Sequence, residues 1–228
     1  LCQGQYVLLL NPDTVVRPEA LQALVDFLDA HPEAGAAGSM LLNPDETLQT
    51  STYPAPTISR ELWRLLHLDR LRPYGVYHMA RWDTDQPREV DVVQGASLLV
   101  RRQILDSIGL FDTAYFMYSE EVDLCHRIQE AGWQLYWVPE SKVLHYGGQS
   151  TRQIATKMFL QLYHAKLLYF RKHYGAGAGV VYKVVLAIAA VLRLILYPLG
   201  WLLGGERRQR YHFLARHYAQ LLAKLPTY

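Results

Sequence analysis

The chain is 228 residues long, 50% hydrophobic and 19% charged, which suits about one and a half domains and a sizeable buried core. Its formal charge of +2 hides two parts of opposite sign: residues 1–151 carry 11 Lys and Arg against 20 Asp and Glu, whereas residues 152–228 carry 12 against one. Cys2 and Cys125 lack metal-ligand spacing and fit a reducing compartment. The sequence shows no internal repeat, low-complexity tract or secretory signal, and its basic, aromatic-rich end has no recognisable nucleic-acid-binding motif, so no nucleic-acid partner is expected.

The first element is the apolar run Tyr6–Leu10, followed by Asn11, Pro12, Asp13 and Thr14. Such a run suits a strand buried on both faces of a mostly parallel sheet. It places Asp13 just past the strand's C-terminal end, where ligands bind in open α/β sheets. The plainer reading is an Asn-Pro-Asp turn entering a helix. The next helix, however, begins near Pro18, too far along for Asp13 to cap it.

Periodicity then predicts a helix over 18–30, a strand over 36–41, a turn at Asn43–Glu46 with a short strand after it, and a helix over 57–68. A polar loop with Tyr74, Tyr77, Trp82 and Asp83 is a candidate lid. It leads into a strand over 90–100, where Gly95 and Ala96 permit close backbone approach to a ligand, although a glycine inside a strand as often marks a bulge. Arg101 and Arg102 open a helix over 101–108 and read as a solvated first turn.

The most informative stretch follows. Glu120 and Glu121 open a helix over 119–131, directly after the aromatic run Tyr115, Phe116 and Tyr118. Positions 121, 124, 125 and 128 fall on one helix face, so Glu121 heads an apolar stripe of Leu124, Cys125 and Ile128. Glu120, Asp123, Arg127 and Glu130 share the other face, with Asp123 and Arg127 spaced as a surface ion pair. In the bland reading Ser119 is the N-cap and both glutamates complement the helix dipole, which accounts well for Glu120 and poorly for Glu121. Short strands near 134–138 and 142–145 then carry His145, which taken alone is more often a structural residue than a metal ligand. A helix from about 152 to 173 follows.

The string FMYSEEVDLCHR resembles the acceptor-side motif of inverting GT-A glycosyltransferases of family 2, especially the rhamnosyltransferase-like branch, whose pattern runs roughly FxYxEDxDLxxR. The resemblance covers residues 1 to about 174 and implies an α/β fold, a partial GT-A (Rossmann-like) mixed sheet flanked by helices. It implies that Glu121 is the general base toward the acceptor hydroxyl, with Glu120 beside it, and that Glu stands where the family usually has Asp. Either carboxylate is expected to be ionised at neutral pH. By the same resemblance Asn11 and Asp13 occupy the place of the DxD motif, and Gly95 and Ala96 match the segment beneath the donor sugar. Asp13 and His145 would share a divalent ion, Mg²⁺ or Mn²⁺, on the diphosphate of a nucleotide-diphosphate sugar, while Gly147 and Gly148 would allow a turn that brings Ser150 and Thr151 near phosphate. The implied activity is inverting, metal-dependent sugar transfer to a glycan or lipid-linked acceptor in bacterial cell-surface polysaccharide synthesis. The chain opens only a few residues before the metal strand, so it is expected to hold the second half of the catalytic domain and to be inactive alone.

Residues 175–228 form a basic, apolar tail. The segment VVYKVVLAIAAVLRLILYPLGWLLGG carries two apolar runs interrupted by Lys183, Arg193 and Pro198. This pattern fits a helix lying in the membrane interface, a short hairpin or a spanning helix, since spanning needs about 20 mostly apolar residues. The basic stretch after it favours anionic lipids at the cytoplasmic face of the cell membrane. A non-catalytic membrane-docking or assembly module derived from such an enzyme is the alternative reading.

Overall fold

The computed structural model describes residues 3–147, 155–202 and 205–228, without the side chains of residue 155 and residues 199–211. Cys2, Gly148, Ser150 and Thr151 lie outside the described residues, as do the side chains of the basic run at 206–210. The elements are β1 (Tyr6–Leu10), β2 (Thr14–Val16), α1 (Ala20–Ala30), β3 (Ala34–Leu42), β4 (Thr52–Tyr53), α2 (Ile58–Leu65), β5 (Arg88–Glu89), β6 (Val92–Val93), β7 (Ser97–Arg101), α3 (Arg102–Ile108), α4 (Glu120–Glu130), β8 (Gln134–His145), α5 (Ala155–Leu202) and α6 (Gly205–Lys224). They group into two compact units. Unit 1 comprises Leu1–Pro56, Arg72–Ala114 and Glu120–Gln149, and unit 2 comprises Thr57–Leu71, Tyr115–Ser119 and Ser150–Tyr228.

Unit 1 is a mixed α/β sheet with flanking helices, as expected, in the order β1-β7-β3-β8-β2, with β5 also pairing β8. The expectation of a mostly parallel sheet is corrected, because only β3 and β8 run parallel and the other pairs are antiparallel. An apolar run reports burial and not strand direction, which the connections decide. The strand Tyr6–Leu10 is likewise half-buried at one edge of the sheet rather than enclosed on both faces.

β3, AGAAGSMLL, is buried throughout and lies between β7 and β8 in the middle of the sheet. Its small residues permit close packing: a Cβ at Gly38 would come within 2.0 Å of Val93 Cγ1. One face carries Leu98, Val100, Leu135, Trp137, Ile104, Leu124 and Ile128, and the other packs α1 through Leu24, Phe27 and Leu28. A buried hydroxyl chain crosses three strands, with Ser39 Oγ 2.7 Å from Ser97 Oγ and 2.8 Å from Ser141 Oγ. It meets the hydrogen-bonding needs that these side chains would otherwise leave unmet in the core.

Several local expectations change. The two strands near 134–138 and 142–145 are one strand with a register shift, Val138 pairing Ser39 and Lys142 pairing Met40. The expected strand over 90–100 is instead broken at residues 94–96 between β6 and β7. Arg101 is not solvated: its guanidinium donates to Ala34 O at 2.8 Å and His31 O at 3.1 Å. Cationic donors suit the carbonyls at the end of α1. Asp123 is fully buried, and Arg127 joins its carboxylate at 2.9 Å to the carbonyls of Ile108, Gly109 and Leu110. The i,i+4 spacing was legible, but the loop folded over that helix face was not. Tyr77 and Trp82, expected in a lid, pack on the core, with Trp82 edge-on to Trp137 at 5.3 Å.

Unit 2 is helical among its described residues. Thr57 caps α2, its hydroxyl accepting from Arg60 N–H at 3.1 Å. Glu61, on the inner face of α2, is 3% exposed; Lys166 Nζ approaches its carboxylate at 2.7 and 2.9 Å, and Tyr182 Oη donates at 3.1 Å. Burial by itself would raise this carboxyl, but the charges of Lys166 and then Arg64 overcome it and hold it below the usual range. α5 is interrupted at Gly175, whose φ of 86° and ψ of 171° lie outside helical space and suit glycine. After the break Tyr182, Leu186, Ala189 and Ala190 are buried, while Val180, Val184, Ile188, Ile195 and Leu196 are exposed.

Candidate active site

The candidate residues meet at one end of the unit 1 sheet. After β1 the chain turns through Asn11–Asp13 into β2, a strand the sequence did not suggest. Thr14 Oγ1 donates to Asn11 O at 2.7 Å, and Asn11 N–H donates to Ala96 O at 3.1 Å. β2 pairs β8 with Thr14 opposite His145, and Tyr146 N–H donates to Asp13 O at 3.0 Å. These bonds bring His145 Nε2 to 3.3 Å from Asp13 Oδ1 and 3.5 Å from Asn11 Nδ2.

This donor set suits a hard divalent ion, since it offers a carboxylate oxygen and an imidazole nitrogen side by side. Neighbouring ligands of an octahedral ion with bonds of about 2.1 Å lie about 3.0 Å apart. The 3.3 Å separation of Asp13 and His145 fits that spacing.

The break between β6 and β7 carries Gly95 and Ala96. Ala96 is buried against Leu41 and Val143, and a Cβ at Gly95 would sit 3.4 Å from Glu121 Cβ, an ordinary contact. Gly95 therefore backs the Glu121 side chain directly. Ser119 is not a conventional N-cap, because both Tyr118 and Ser119 have left-handed backbone, φ 68° and 64°, where an N-cap is extended. Such a pair of non-glycine residues stores strain of the kind found at functional turns.

Neither glutamate has the expected surroundings. Glu120 Oε2 and Glu121 Oε2 are buried without a hydrogen-bond partner among the described residues. Burial, and then the neighbouring charge of Glu120, push the Glu121 carboxyl up from 4.5 to about 7. The expectation of a fully ionised Glu121 at neutral pH is thereby corrected: the apolar stripe that marks it in sequence is also what penalises its charge. Glu120, expected on the solvated face, is half-buried and raised by the same desolvation. A carboxyl poised near neutrality is suited to accept a proton.

Gln49 is the residue that sequence reasoning missed. Its Oε1 lies 2.7 Å from His145 Nδ1, and its Nε2 donates to His145 O at 3.2 Å. No local signal marks it, because it stands 96 positions away from its partner.

The profile described as Glycosyltransferase like family 2 matches residues 1–163. The chain belongs to glycosyltransferase family 2. Among curated family 2 relatives, the chain is 29% identical over 219 residues to the N-acetylglucosaminyl-diphospho-decaprenol L-rhamnosyltransferase of Mycobacterium tuberculosis, covering 92% of this chain and 64% of that protein. It is 28% identical over 160 residues to the rhamnosyltransferase WbbL of Escherichia coli K12, covering 68% and 57% respectively. The chain thus spans less than two thirds of the length of these two relatives. A solved structure of GalNAc-T7 with UDP, GalNAc and Mn²⁺ aligns with 62% of this chain and 27% of its own at 16% identity and a TM-score of 0.43.

Proposed function

We propose that this family 2 protein transfers a rhamnosyl-type sugar from a nucleotide-diphosphate donor to a hydroxyl of a lipid-linked acceptor, with inversion. The observation that carries the proposal is Glu121: a buried carboxyl raised to about 7, set against Gly95 at the strand break. In this reading Glu121 takes the acceptor hydroxyl proton while Glu120 raises its basicity, and Gly95 and Ala96 leave room beneath the donor sugar. Asp13 and His145, with Asn11 alongside, would hold Mg²⁺ or Mn²⁺, which when bound supplies charge stabilisation to the leaving diphosphate. The acceptor class follows the relative whose name specifies N-acetylglucosaminyl-diphospho-decaprenol. Residues 1–174 would be the C-terminal part of the catalytic domain and 175–228 the membrane-associated tail.

Membrane association is supported by α5. Its segment Thr156–Pro198 is long and apolar enough to cross a membrane, although Gly175 divides it. After that break one face is covered and the other leaves Val180, Val184, Ile188 and Ile195 in a row at helical spacing, Val180 and Ile195 60% and 66% exposed. Arg193, within this apolar segment, lies on the covered side, where it donates to Ala189 O at 3.1 Å and to Leu65 O and stacks 4.8 Å from the Tyr218 ring. One apolar face and a tail, 175–228, with seven basic residues against one acid suit a helix lying in an anionic cytoplasmic leaflet.

The test is an assay of the full-length protein with nucleotide-diphosphate rhamnose and a polyprenyl-diphosphate N-acetylglucosamine. Inverted product that disappears on chelation of divalent ions is expected. Binding to anionic vesicles without any transfer would instead favour the non-catalytic docking module. Val184→Glu, Ile188→Glu and Ile195→Glu together should release the chain from such vesicles, and unchanged vesicle binding would end the interfacial reading.

A further inference from the structure

A chain of side-chain hydrogen bonds runs from a surface turn of unit 1 to His145, and its polarity can be read from one end to the other. At the surface end stands Asp45, whose ionised carboxylate only accepts. Thr47 donates to it twice, by its hydroxyl at 2.6 Å and its backbone N–H at 3.1 Å. A hydroxyl has a single proton, so toward Asn43 the Thr47 oxygen must accept, and Asn43 Nδ2 donates to it at 2.9 Å. That turns Asn43 Oδ1 toward Gln49, whose Nε2 donates to it at 2.9 Å and spends its second proton on His145 O at 3.2 Å. Gln49 Oε1 is thereby left facing His145 Nδ1 at 2.7 Å.

An oxygen at that distance accepts, so Nδ1 carries the proton. The other ring nitrogen of a neutral imidazole then bears a lone pair. In this molecule that nitrogen lies 3.3 Å from Asp13 Oδ1 and 3.5 Å from Asn11 Nδ2. Two acceptors face each other at that separation only with a proton or a cation to share.

We propose that Gln49 is a positioning residue that fixes His145 as its Nδ1-protonated tautomer, presenting Nε2 to the ion shared with Asp13, and that the Asp45–Thr47–Asn43 turn fixes the orientation of Gln49. The ion itself rests on the metal reading above, whereas the tautomer rests on the hydrogen bonds alone. The surrounding backbone holds the relay in register, with Asn43 N–H donating to Thr47 O and Gln49 N–H to Leu41 O, both at 2.8 Å. Gly147, with φ 53°, lies over the pair: a Cβ there would meet Gln49 Nε2 and His145 Cε1 at 3.7 Å. A carboxamide ordering a histidine ligand from the far side of its ring is the kind of outer-shell contact that tunes metal affinity by about 10–100-fold.

The experiment has two arms on the full-length protein. Nitrogen NMR of the His145 ring without metal reports the tautomer directly, and Mn²⁺ titration followed by electron paramagnetic resonance reports affinity. Wild type should show the Nδ1-protonated form. Gln49→Ala should mix the tautomers and weaken Mn²⁺ binding by about 10–100-fold, and Gln49→Glu, which keeps an acceptor at Nδ1, should restore the Nδ1-protonated form. An Nε2-protonated His145 in wild type, or a Gln49→Ala protein with its tautomer unchanged, would overturn the proposal. If the tautomer behaves as described and wild type binds no Mn²⁺, the metal reading fails while the role of Gln49 stands.

Discussion

Unit 1 and unit 2 each bury a glutamate at the start or middle of a short amphipathic helix, and the two carboxyls are driven in opposite directions. Glu61 meets Lys166, Arg64 and Tyr182, so its charge is compensated and its carboxyl lies below the usual range. Glu121 meets the desolvating core and a second carboxylate, and it is pushed up to about 7. Burial penalises both. What separates them is whether a cation is supplied among the described residues, and the contrast teaches that the same residue in the same kind of element is held ionised or held near neutrality according to its neighbours.

The sharpest way to break this comparison is to neutralise Glu121. Glu121→Gln in the full-length protein should lower turnover by about 10²–10⁴-fold while leaving nucleotide-sugar binding nearly intact, as measured by steady-state kinetics and calorimetry. Wild-type turnover would remove Glu121 from the chemistry. On the other side, Lys166→Met strands a buried carboxylate and should destabilise unit 2 by about 3–5 kcal/mol in denaturant unfolding. The double variant Glu61→Met with Lys166→Met should recover most of that loss, and failure to recover would show that the pair does more than compensate charge.

The pH dependence separates the two glutamates further. Between 4.5 and about 7 native Glu121 holds a proton that the unfolded chain has released. Stability should therefore fall as pH rises through that window, by up to about 3 kcal/mol. Glu61 works in the opposite sense: its lowered carboxyl contributes stability that is present above the unfolded value of 4.5 and is lost as pH falls below it. Unfolding curves collected across this range should be flatter on the alkaline side for Glu121→Gln and on the acid side for Glu61→Gln. The catalytic rate should rise with pH along a limb centred near 7, following Glu121.

The smallest effect concerns the neighbour. Removing the Glu120 charge with Glu120→Gln should move that limb to lower pH by about one unit or less, since burial remains the larger cause. A limb that stays in place would mean that Glu120 is screened from Glu121.

How much of this was legible depends on the range over which each signal acts. The helix of α4 and the position of Glu121 on its apolar stripe follow from a period of 3.6 residues, which is local. The helix before Gly175 was legible for the same reason, and the strand before Asn11 from its continuous apolar run, which is equally local. The direction of the strands, the short β2 and the burial of Asp123, tied through Arg127 to the carbonyls of Ile108, Gly109 and Leu110, were not, because each is set by segments distant in sequence. Arg101 was misread on similar grounds: its acceptors, Ala34 and His31, lie 67 and 70 positions away.

Sequence alone determined which residues are candidates for chemistry. Asp13 follows an apolar strand, Glu121 sits where a charge is costly, and His145 ends a strand, and each of these is a local pattern of polarity against period. Only the tertiary structure decided what those residues are chemically. The pairing of β2 with β8 sets Asp13 beside His145, the fold around α4 gives Glu121 no cation among the described residues, and the relay through Gln49 orients the imidazole. Protonation and tautomer are fixed by the groups within a few ångströms, and in this chain those groups come from positions that only folding brings together.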